Sequence, residues 1–313
     1  MSDALFPPLE PYASGWLEGG DGHRIWHEQS GNQRGTPVVF LHGGPGSNTN
    51  ADHRRFFDPA FYRIVLMDQR GCGRSTPGGG VRANTTSHLL DDLERLRLEL
   101  GVERWLLFGG SWGSTLALAY AEARPEAVSG LVLRGLFLGS DDEVAWFATG
   151  LRRFLPEGWD QFAAGVDDQS SAGLLRHYHE RVAADDMGAA VRWNAWEAAV
   201  MAVGEASSAS AAPASMATLA RVRIQLHYLV NGCFLAPGQL LRGLERLGHL
   251  PAILVQGRRD LACPPGTAYT VARRWPGAQL RMVEEGGHSS MHPAMARALV
   301  QATQDMRGLF VPT

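Results

Sequence analysis

Short apolar runs recur along this chain and predict the strands of a buried sheet. Each run continues for four to six residues without strict alternation, which is typical of strands covered on both faces. The runs lie at residues 36–41, 63–67, 105–108, 128–133, 251–256 and 279–283. Upstream of them, apolar and polar residues alternate on both sides of a glycine-rich turn at residues 19–22, which predicts a β-hairpin.

Helical patterns separate most of these strands. The clearest covers residues 86–100, where leucines recur along one face, polar residues such as Asp92 lie elsewhere, and Gly101 follows as the terminator. Further helices are predicted before Pro125 and over residues 293–308. Alternating buried strands and helices indicate an α/β fold, with a mostly parallel sheet covered on both faces.

The pattern changes after residue 137. Residues 140–247 contain helical segments and four of the nine tryptophans, but no convincing buried strand. We therefore predict a sheet domain made of residues 1–137 and 248–313, with residues 138–247 inserted as a helical cap. Within the insertion, residues 204–215 are rich in alanine and serine, which predicts an exposed loop.

Composition excludes several classes of function. An apolar content of 45% and a charged content of 19% are those of an ordinary globular protein. With a net charge of -3, we expect neither a nucleic acid nor a membrane surface as a partner. The sequence has no run of about 18 apolar residues to predict a membrane span, and its first residues lack the basic and apolar regions of a secretory signal.

The three cysteines, Cys72, Cys233 and Cys263, are widely spaced. An odd and scattered set argues against both a disulfide framework and a four-cysteine zinc site. We therefore expect a reducing compartment, the cytoplasm.

A candidate nucleophile lies between the strand at 105–108 and the helix before Pro125. There the chain reads Gly109-x-Ser111-x-Gly113, the G-x-S-x-G elbow that pushes a serine hydroxyl out above a sheet. Glycines fit this turn because it leaves no room for a Cβ atom. The strand–turn–helix setting makes Ser111 the predicted nucleophile.

Such a serine needs a base, and the base needs an acid that orients it. Ligands of a doubly wound sheet bind at the carboxyl ends of its strands. Asp260 and His288 each follow one of the last two predicted strands, and the chain order serine, aspartate, histidine is the one expected for this elbow. Asp68 also follows a strand but precedes the elbow, so we interpret it as a structural anchor.

Other histidines are weaker candidates for the base. His42, His249 and His292 do not combine a late strand end with a flanking glycine pair, as His288 does. The oxyanion requires two N–H donors. We predict the backbone N–H groups of Trp112, directly after the nucleophile, and of Gly44 in the H-G-G-P-G loop.

Five segments together resemble one known family. They are H-G-G-P-G at 42–46, D-Q-R-G-C-G-R-S at 68–75, G-G-S-W-G-S at 109–114, V-Q-G-R-R-D at 255–260 and G-G-H at 286–288. In this combination, the chain resembles the proline iminopeptidases. The resemblance implies an α/β-hydrolase fold with an eight-stranded sheet and a helical cap. It also implies a serine peptidase, without metal or organic cofactor, that releases N-terminal proline from small peptides.

The same resemblance implies the residues that bind substrate. A family glutamate that binds the proline imino group falls on Glu197, in the W-x-x-W-E segment at 193–197. Gln225 stands where a second family glutamate is expected, so it keeps an acceptor but loses the charge. Phe137 is similar to a family residue that lines the proline pocket.

Two other functions remain open at this point. An esterase or small-amide hydrolase of the same fold is favoured by Gln225, since a neutral pocket suits an uncharged acyl group. A non-catalytic binding module would have a broken triad or oxyanion loop, whereas both look intact. Cys263 is expected near the site but not as the nucleophile.

Overall fold

The computed structural model describes residues 4–203 and 213–310. Within them, eight strands form one sheet. The strands are β1 Ala13–Gly20, β2 His23–Gly31, β3 Thr36–Leu41, β4 Tyr62–Met67, β5 Trp105–Ser111, β6 Val128–Leu136, β7 Ala252–Gly257 and β8 Ala278–Val283. All six predicted strands and the predicted hairpin are therefore confirmed, but β8 lies at the edge of the sheet and none of its residues is buried, so its predicted burial was wrong.

The sheet is mostly parallel. Its strand order is β1-β2-β4-β3-β5-β6-β7-β8, and β2 pairs antiparallel with both β1 and β4. Every other pairing is parallel. The carboxyl ends of β3, β5, β6, β7 and β8 consequently meet at one edge, where ligands of such sheets bind.

Helices cover both faces of the sheet, as predicted. In the described residues the α-helices are α1 Thr86–Glu99, α2 Trp112–Ala123, α3 Asp141–Thr149, α4 Pro156–Ala163, α5 Ser171–Ala183, α6 Met187–Ala202, α7 Met216–Val230, α8 Gln239–Gly243, α9 Pro265–Arg274 and α10 Pro293–Phe310. One apolar cluster joins the sheet to α1, α2, α8 and α9, whereas a second joins its other face to α10.

Helices α3 to α8 lie between β6 and β7 in the sequence. Helices α3 to α7 contribute to an apolar core of their own, in which Phe162 stacks on Tyr178 and Trp196. This arrangement supports the proposed division at residues 138–247, which remains a prediction. The predicted loop at 204–215 falls largely outside the described residues; residues 213–215 lead into α7.

One prediction about α1 was wrong in detail. Asp92, placed away from the apolar face, is completely buried. It pairs with Arg70, whose Nε and Nη2 donate to the two carboxylate oxygens at 2.5 and 2.8 Å. Arg70 also donates to the carbonyls of Gly19 and Ala83. Burial raises the pKa of Asp92, and the bonds from Arg70 partly offset that rise.

Replacing Asp92 with asparagine is expected to lower the free energy of unfolding by about 3–5 kcal/mol, because the Arg70 charge stays buried without its counter-ion. Urea denaturation monitored by circular dichroism measures this loss. The matched control is Asp91→Asn on the exposed side of the same helix, which should change stability by less than about 0.5 kcal/mol. Equal stability of the two variants would contradict the importance of the pair.

Two further sequence expectations concern the membrane and the cysteines. Across the part of the chain that the structure describes, no helix combines the length and apolar character that a membrane crossing requires. Cys72, Cys233 and Cys263 are all free and buried.

Candidate active site

Ser111 lies at the sharp turn between β5 and α2. Its backbone has φ 56° and ψ -126°, a strained conformation for a residue with a side chain. The flanking glycines are required by space: a Cβ at Gly109 would lie 2.2 Å from the carbonyl oxygen of Gly113, and one at Gly113 would lie 2.0 Å from that of Leu41. The predicted strand–turn–helix elbow is confirmed, with Ser111 at its tip.

The loops after β7 and β8 bring Asp260 and His288 together. His288 Nδ1 lies 2.8 and 2.9 Å from the two carboxylate oxygens of Asp260, and both residues are at least 96% buried. Since a carboxylate only accepts, Nδ1 is the donor of this pair, and in the neutral imidazole the lone pair is then on Nε2. The imidazole is thus oriented to act as a base through Nε2.

Ser111 and His288 line the same cavity. In the described chain they form no hydrogen bond with each other, and Ser111 Oγ lies 4.0 Å from Cys263 Sγ. Hydrogen bonds between nucleophile and base often tighten only with substrate bound. Burial and the negative charge of Asp260 raise the pKa of the Cys263 thiol well above its usual range. Cys263 therefore stays protonated, which disfavours it as a nucleophile.

The H-G-G-P-G loop after β3 packs against the elbow. A Cβ at Gly43 would lie 3.4 Å from the Cβ of Ser111, and Gly44 lines the same cavity as Ser111. Gly44 has φ +116°, and a Cβ there would lie 2.6 Å from the backbone nitrogen of Gly46. This glycine-only conformation places Gly44 beside the nucleophile, in keeping with its predicted oxyanion role.

Gln69 connects the loop to the elbow, a link that the sequence analysis missed. Its backbone N–H donates to His42 Nε2 at 3.0 Å, and its side-chain amide donates to the carbonyl of His42 at 2.9 Å. Its amide oxygen accepts from Trp112 Nε1 at 2.8 Å. The side chain of Gln69 therefore joins the start of the H-G-G-P-G loop to the indole of Trp112. Its position two residues after the end of β4 was the available signal.

Asp68 has the anchoring contacts that were predicted for it. It is fully buried, and it accepts hydrogen bonds from Thr49 and Arg74. Burial alone would raise the pKa of Asp68, but these bonds and the nearby His42 hold it below the usual value. Asp68 thus fixes the loops beside the site as a carboxylate.

Gly135, near the end of β6, lies against the Asp260–His288 pair. A Cβ there would be 3.1 Å from Asp260 Oδ2 and 3.2 Å from His288 Cε1. The next residue back, Arg134, donates from Nη1 to the carbonyl of His288 at 2.5 Å. The end of β6 therefore contacts His288 twice: Arg134 binds its backbone carbonyl, and Gly135 packs against its imidazole ring.

Gly135→Ala is expected to lower kcat by roughly 10–100-fold, because the added methyl pushes on the imidazole and small misplacements of catalytic groups cost that much. Steady-state kinetics measures the effect. Gly101→Ala is the control, since Gly101 has a similar φ of +63° but open space around it. If both variants lose activity equally, backbone strain rather than contact with His288 is responsible.

The cavity in front of Ser111 is small and mostly apolar. It has a volume of 60 Å³. Its apolar lining comes mainly from the helices after β6: Phe137, Val144, Phe147, Met201, Leu229 and Ala262. Phe137 lines the cavity, as the resemblance implied. The sequence analysis did not single out the other five residues, because an apolar residue in this part of the sequence does not by itself indicate a binding site.

Three polar side chains complete this cavity: Glu143, Glu197 and Gln225. Glu143 was not predicted, although Ser140-x-x-Glu143 is a recognisable capping box. Its carboxylate accepts from the N–H groups of Leu138 and Ser140 and from Thr267 Oγ1. Glu143 therefore has a structural set of partners at the start of α3.

Glu197 and Gln225 are brought together as predicted, but with a third partner. Gln225 Nε2 donates to Glu197 Oε1 at 2.9 Å, and Arg221 Nη1 donates to Glu197 Oε2 at 2.6 Å. Arg221 also contacts Asn194. The sequence analysis did not single out Arg221, which stands one helical turn before Gln225.

A larger cavity of 430 Å³ adjoins the first and shares Gly44, Ser111, Glu197 and His288 with it. Arg134, Arg221 and Glu197 line it, together with His42 and His53. Burial lowers the pKa of both histidines; for His53, His42 and Arg134 add to the effect and bring the pKa to about 4. Both imidazoles are neutral at neutral pH. The larger cavity therefore provides space next to Ser111 that is lined in part by charged and polar side chains.

Comparison with known proteins places this geometry in a family. A model for the alpha/beta hydrolase fold matches residues 36–294. An esterase from Exiguobacterium antarcticum has a TM-score of 0.65 at 19% identity, covering 93% of this chain and 98% of its own, which supports the fold. A proline iminopeptidase from Arabidopsis thaliana is 43% identical across 97% of this chain and 82% of its own. Another, from Xanthomonas citri, is 45% identical across 96% and 98%.

The chain belongs to the proline iminopeptidase family. Both relatives match over nearly the whole sequence, so the family covers the sheet and the intervening helices alike. The predicted resemblance and the predicted fold class are confirmed, and the chain is an α/β hydrolase enzyme.

Proposed function

We propose that this proline iminopeptidase family member removes N-terminal proline from small peptides, with Ser111, His288 and Asp260 as its catalytic triad. One observation carries the proposal. The elbow serine and the oriented imidazole face a small apolar cavity, and the carboxylate of Glu197 lies on the wall of the same cavity. Such a cavity suits a compact ring with a cationic nitrogen, one residue from the bond to be cut.

The chemistry follows from the positions of these groups. His288 Nε2 takes the proton of Ser111 as Oγ attacks the prolyl carbonyl carbon. The N–H groups of Gly44 and Trp112 stabilise the oxyanion, and Asp260 stabilises the imidazolium. His288 then gives the proton to the leaving amine, and a prolyl ester remains on Ser111. Water, activated by the same imidazole, hydrolyses that ester and restores the serine.

The remaining groups of the site have supporting roles. Phe137 and the apolar lining enclose the ring, Glu197 binds its nitrogen, and Gln225 hydrogen-bonds Glu197. The 430 Å³ cavity beyond Ser111 receives the rest of the peptide. Side chains and backbone N–H groups of the chain, together with water, supply the groups that this mechanism uses. Three unpaired cysteines suit a reducing compartment, so we place the enzyme in the cytoplasm.

An esterase or small-amide hydrolase is the alternative, and one observation favours it. Glu197 is already paired with Arg221, so the charge of this carboxylate is compensated within the protein. Comparing kcat/KM for a proline arylamide, its N-acetylated form and a short-chain aryl ester separates the two functions. We expect the free-amine arylamide to be the best substrate, with acetylation lowering kcat/KM by at least about tenfold. An ester preference with acetylation tolerated would instead establish the alternative.

A further inference from the structure

The amide of Gln225 has one possible orientation. Trp193 Nε1, which can only donate, lies 2.8 Å from Gln225 Oε1, and both side chains are buried. The oxygen is therefore directed at Trp193, so the NH₂ group faces Glu197. Gln225 presents a donor at the place where a second carboxylate would present an acceptor. A cationic ligand gains no partner from Gln225.

Both oxygens of Glu197 are occupied from within the protein. Oε1 accepts from Gln225 and Oε2 from Arg221, at 2.9 and 2.6 Å. The side chains of Glu197 and Arg221 are only 18% and 23% exposed, so solvent screens their attraction weakly. An amine entering the cavity meets a carboxylate that already has a counter-ion.

Arg221 is held in place by more than one contact. It also donates to Asn194 Oδ1 on α6, the helix that carries Glu197. Arg221 itself lies on α7 and lines the larger cavity, whereas Glu197 lines both cavities. The guanidinium therefore meets the carboxylate where the larger cavity adjoins the smaller one, 2.6 Å from Glu197 Oε2 and close enough to repel a second cation.

We propose that Arg221 sets the strength of amine recognition in this enzyme, as an internal cation that competes with the substrate's N-terminal ammonium for Glu197. The proposal rests on the proposed function, in which Glu197 receives that ammonium. Because Glu197 is paired with a guanidinium and its other neighbour, Gln225, is neutral, Glu197 gives a free N-terminus less advantage over a blocked one than an unpaired carboxylate would. Removing the guanidinium should restore that advantage.

Binding to Ser111→Ala enzyme tests this without turnover. Isothermal titration compares L-prolinamide, which is cationic, with N-acetyl-L-prolinamide, which is neutral. Arg221→Met keeps the apolar stem but removes the charge. We expect it to tighten prolinamide binding by roughly tenfold or more, because like-charge repulsion and competition both disappear. The neutral ligand should change by less than about twofold.

Two further variants separate charge from structure. Arg221→Lys keeps a charge without the forked geometry, so its gain in prolinamide affinity should be smaller than that of Arg221→Met. Arg223→Met removes a neighbouring arginine that pairs with Asp185, and should leave both ligands unaffected. If prolinamide binding weakens or stays constant in Arg221→Met while its melting temperature is kept, or if both ligands tighten equally, Arg221 is not a competitor.

Turnover then distinguishes this proposal from the proposed function. In enzyme with Ser111 intact, Arg221→Met should raise the ratio of kcat/KM for the proline arylamide to that for its N-acetyl form by roughly tenfold. If neither enzyme cleaves the arylamide, the proposed function fails, and the titrations still decide the role of Arg221. If the arylamide is cleaved but the ratio is unchanged, only the proposal about Arg221 fails.

Discussion

Replacing Ser111 with alanine is expected to lower kcat/KM on a proline arylamide by about 10⁴-fold or more, because the acyl intermediate of the proposed mechanism forms on its hydroxyl. Ser111 holds a strained backbone at the elbow, which alanine tolerates as well as serine does, so the fold should persist. Mass spectrometry after treatment with a fluorophosphonate gives a second measurement. The adduct should appear in the parent enzyme and not in the variant.

Cys263→Ala is the matched control for this prediction. Its sulfur lies 4.0 Å from Ser111 Oγ and is the other nucleophilic atom in this part of the described cavity. Since burial keeps the thiol protonated, the cysteine variant should remain at least about 100-fold more active than Ser111→Ala. The reverse order of activities would make Cys263 the nucleophile.

Replacing Asp260 with asparagine is expected to lower kcat by about 10⁴-fold. An asparagine amide can donate to His288 Nδ1, which would move the imidazole proton to Nε2 and leave no lone pair to face Ser111. The buried N–H of Cys263, which donates to Asp260 Oδ1 at 2.8 Å, can still donate to the asparagine oxygen. The loss should therefore appear in kcat with little change in melting temperature.

Asp142→Asn, on the exposed first turn of α3, removes an equal charge without touching His288 and should keep normal kinetics. Retention of more than about a tenth of kcat by Asp260→Asn would contradict the orienting role of the carboxylate.

The sequence signals for Ser111, Asp260 and His288 are local. Apolar runs mark the strands β7 and β8, and Asp260 and His288 follow these strands by three and five residues. The residue at which a strand ends was harder to predict from the sequence. β5 continues through Gly109 and Gly110, which pair with β6 although they have no side chains to show a pattern. Because a Cβ has no space at Gly109 and Gly110, the last part of β5 lacks the apolar side chains that would have predicted it.

Long-range pairings could not be predicted from sequence. The burial of Asp92 depends on Arg70, which reaches it from a different element. Likewise, Gln69 acts through contacts with His42 and Trp112 that lie far away in the chain. From the sequence alone, a charged or amide side chain is expected to be solvated, because its partner in the fold is not known. Arg221 was not singled out for the same reason, since its partner Glu197 lies on another helix.

The order of elements in this fold also governs when the enzyme becomes active during synthesis. Ser111 and the H-G-G-P-G loop leave the ribosome early, but β7 and β8, which carry Asp260 and His288, follow only after helices α3 to α8. With Ser111, Asp260 and His288 as the proposed triad, a nascent chain holds the nucleophile without its base, however well its first strands have paired. On this proposal, the onset of peptidase activity reports that synthesis has passed β8 and that β7 and β8 have joined the sheet.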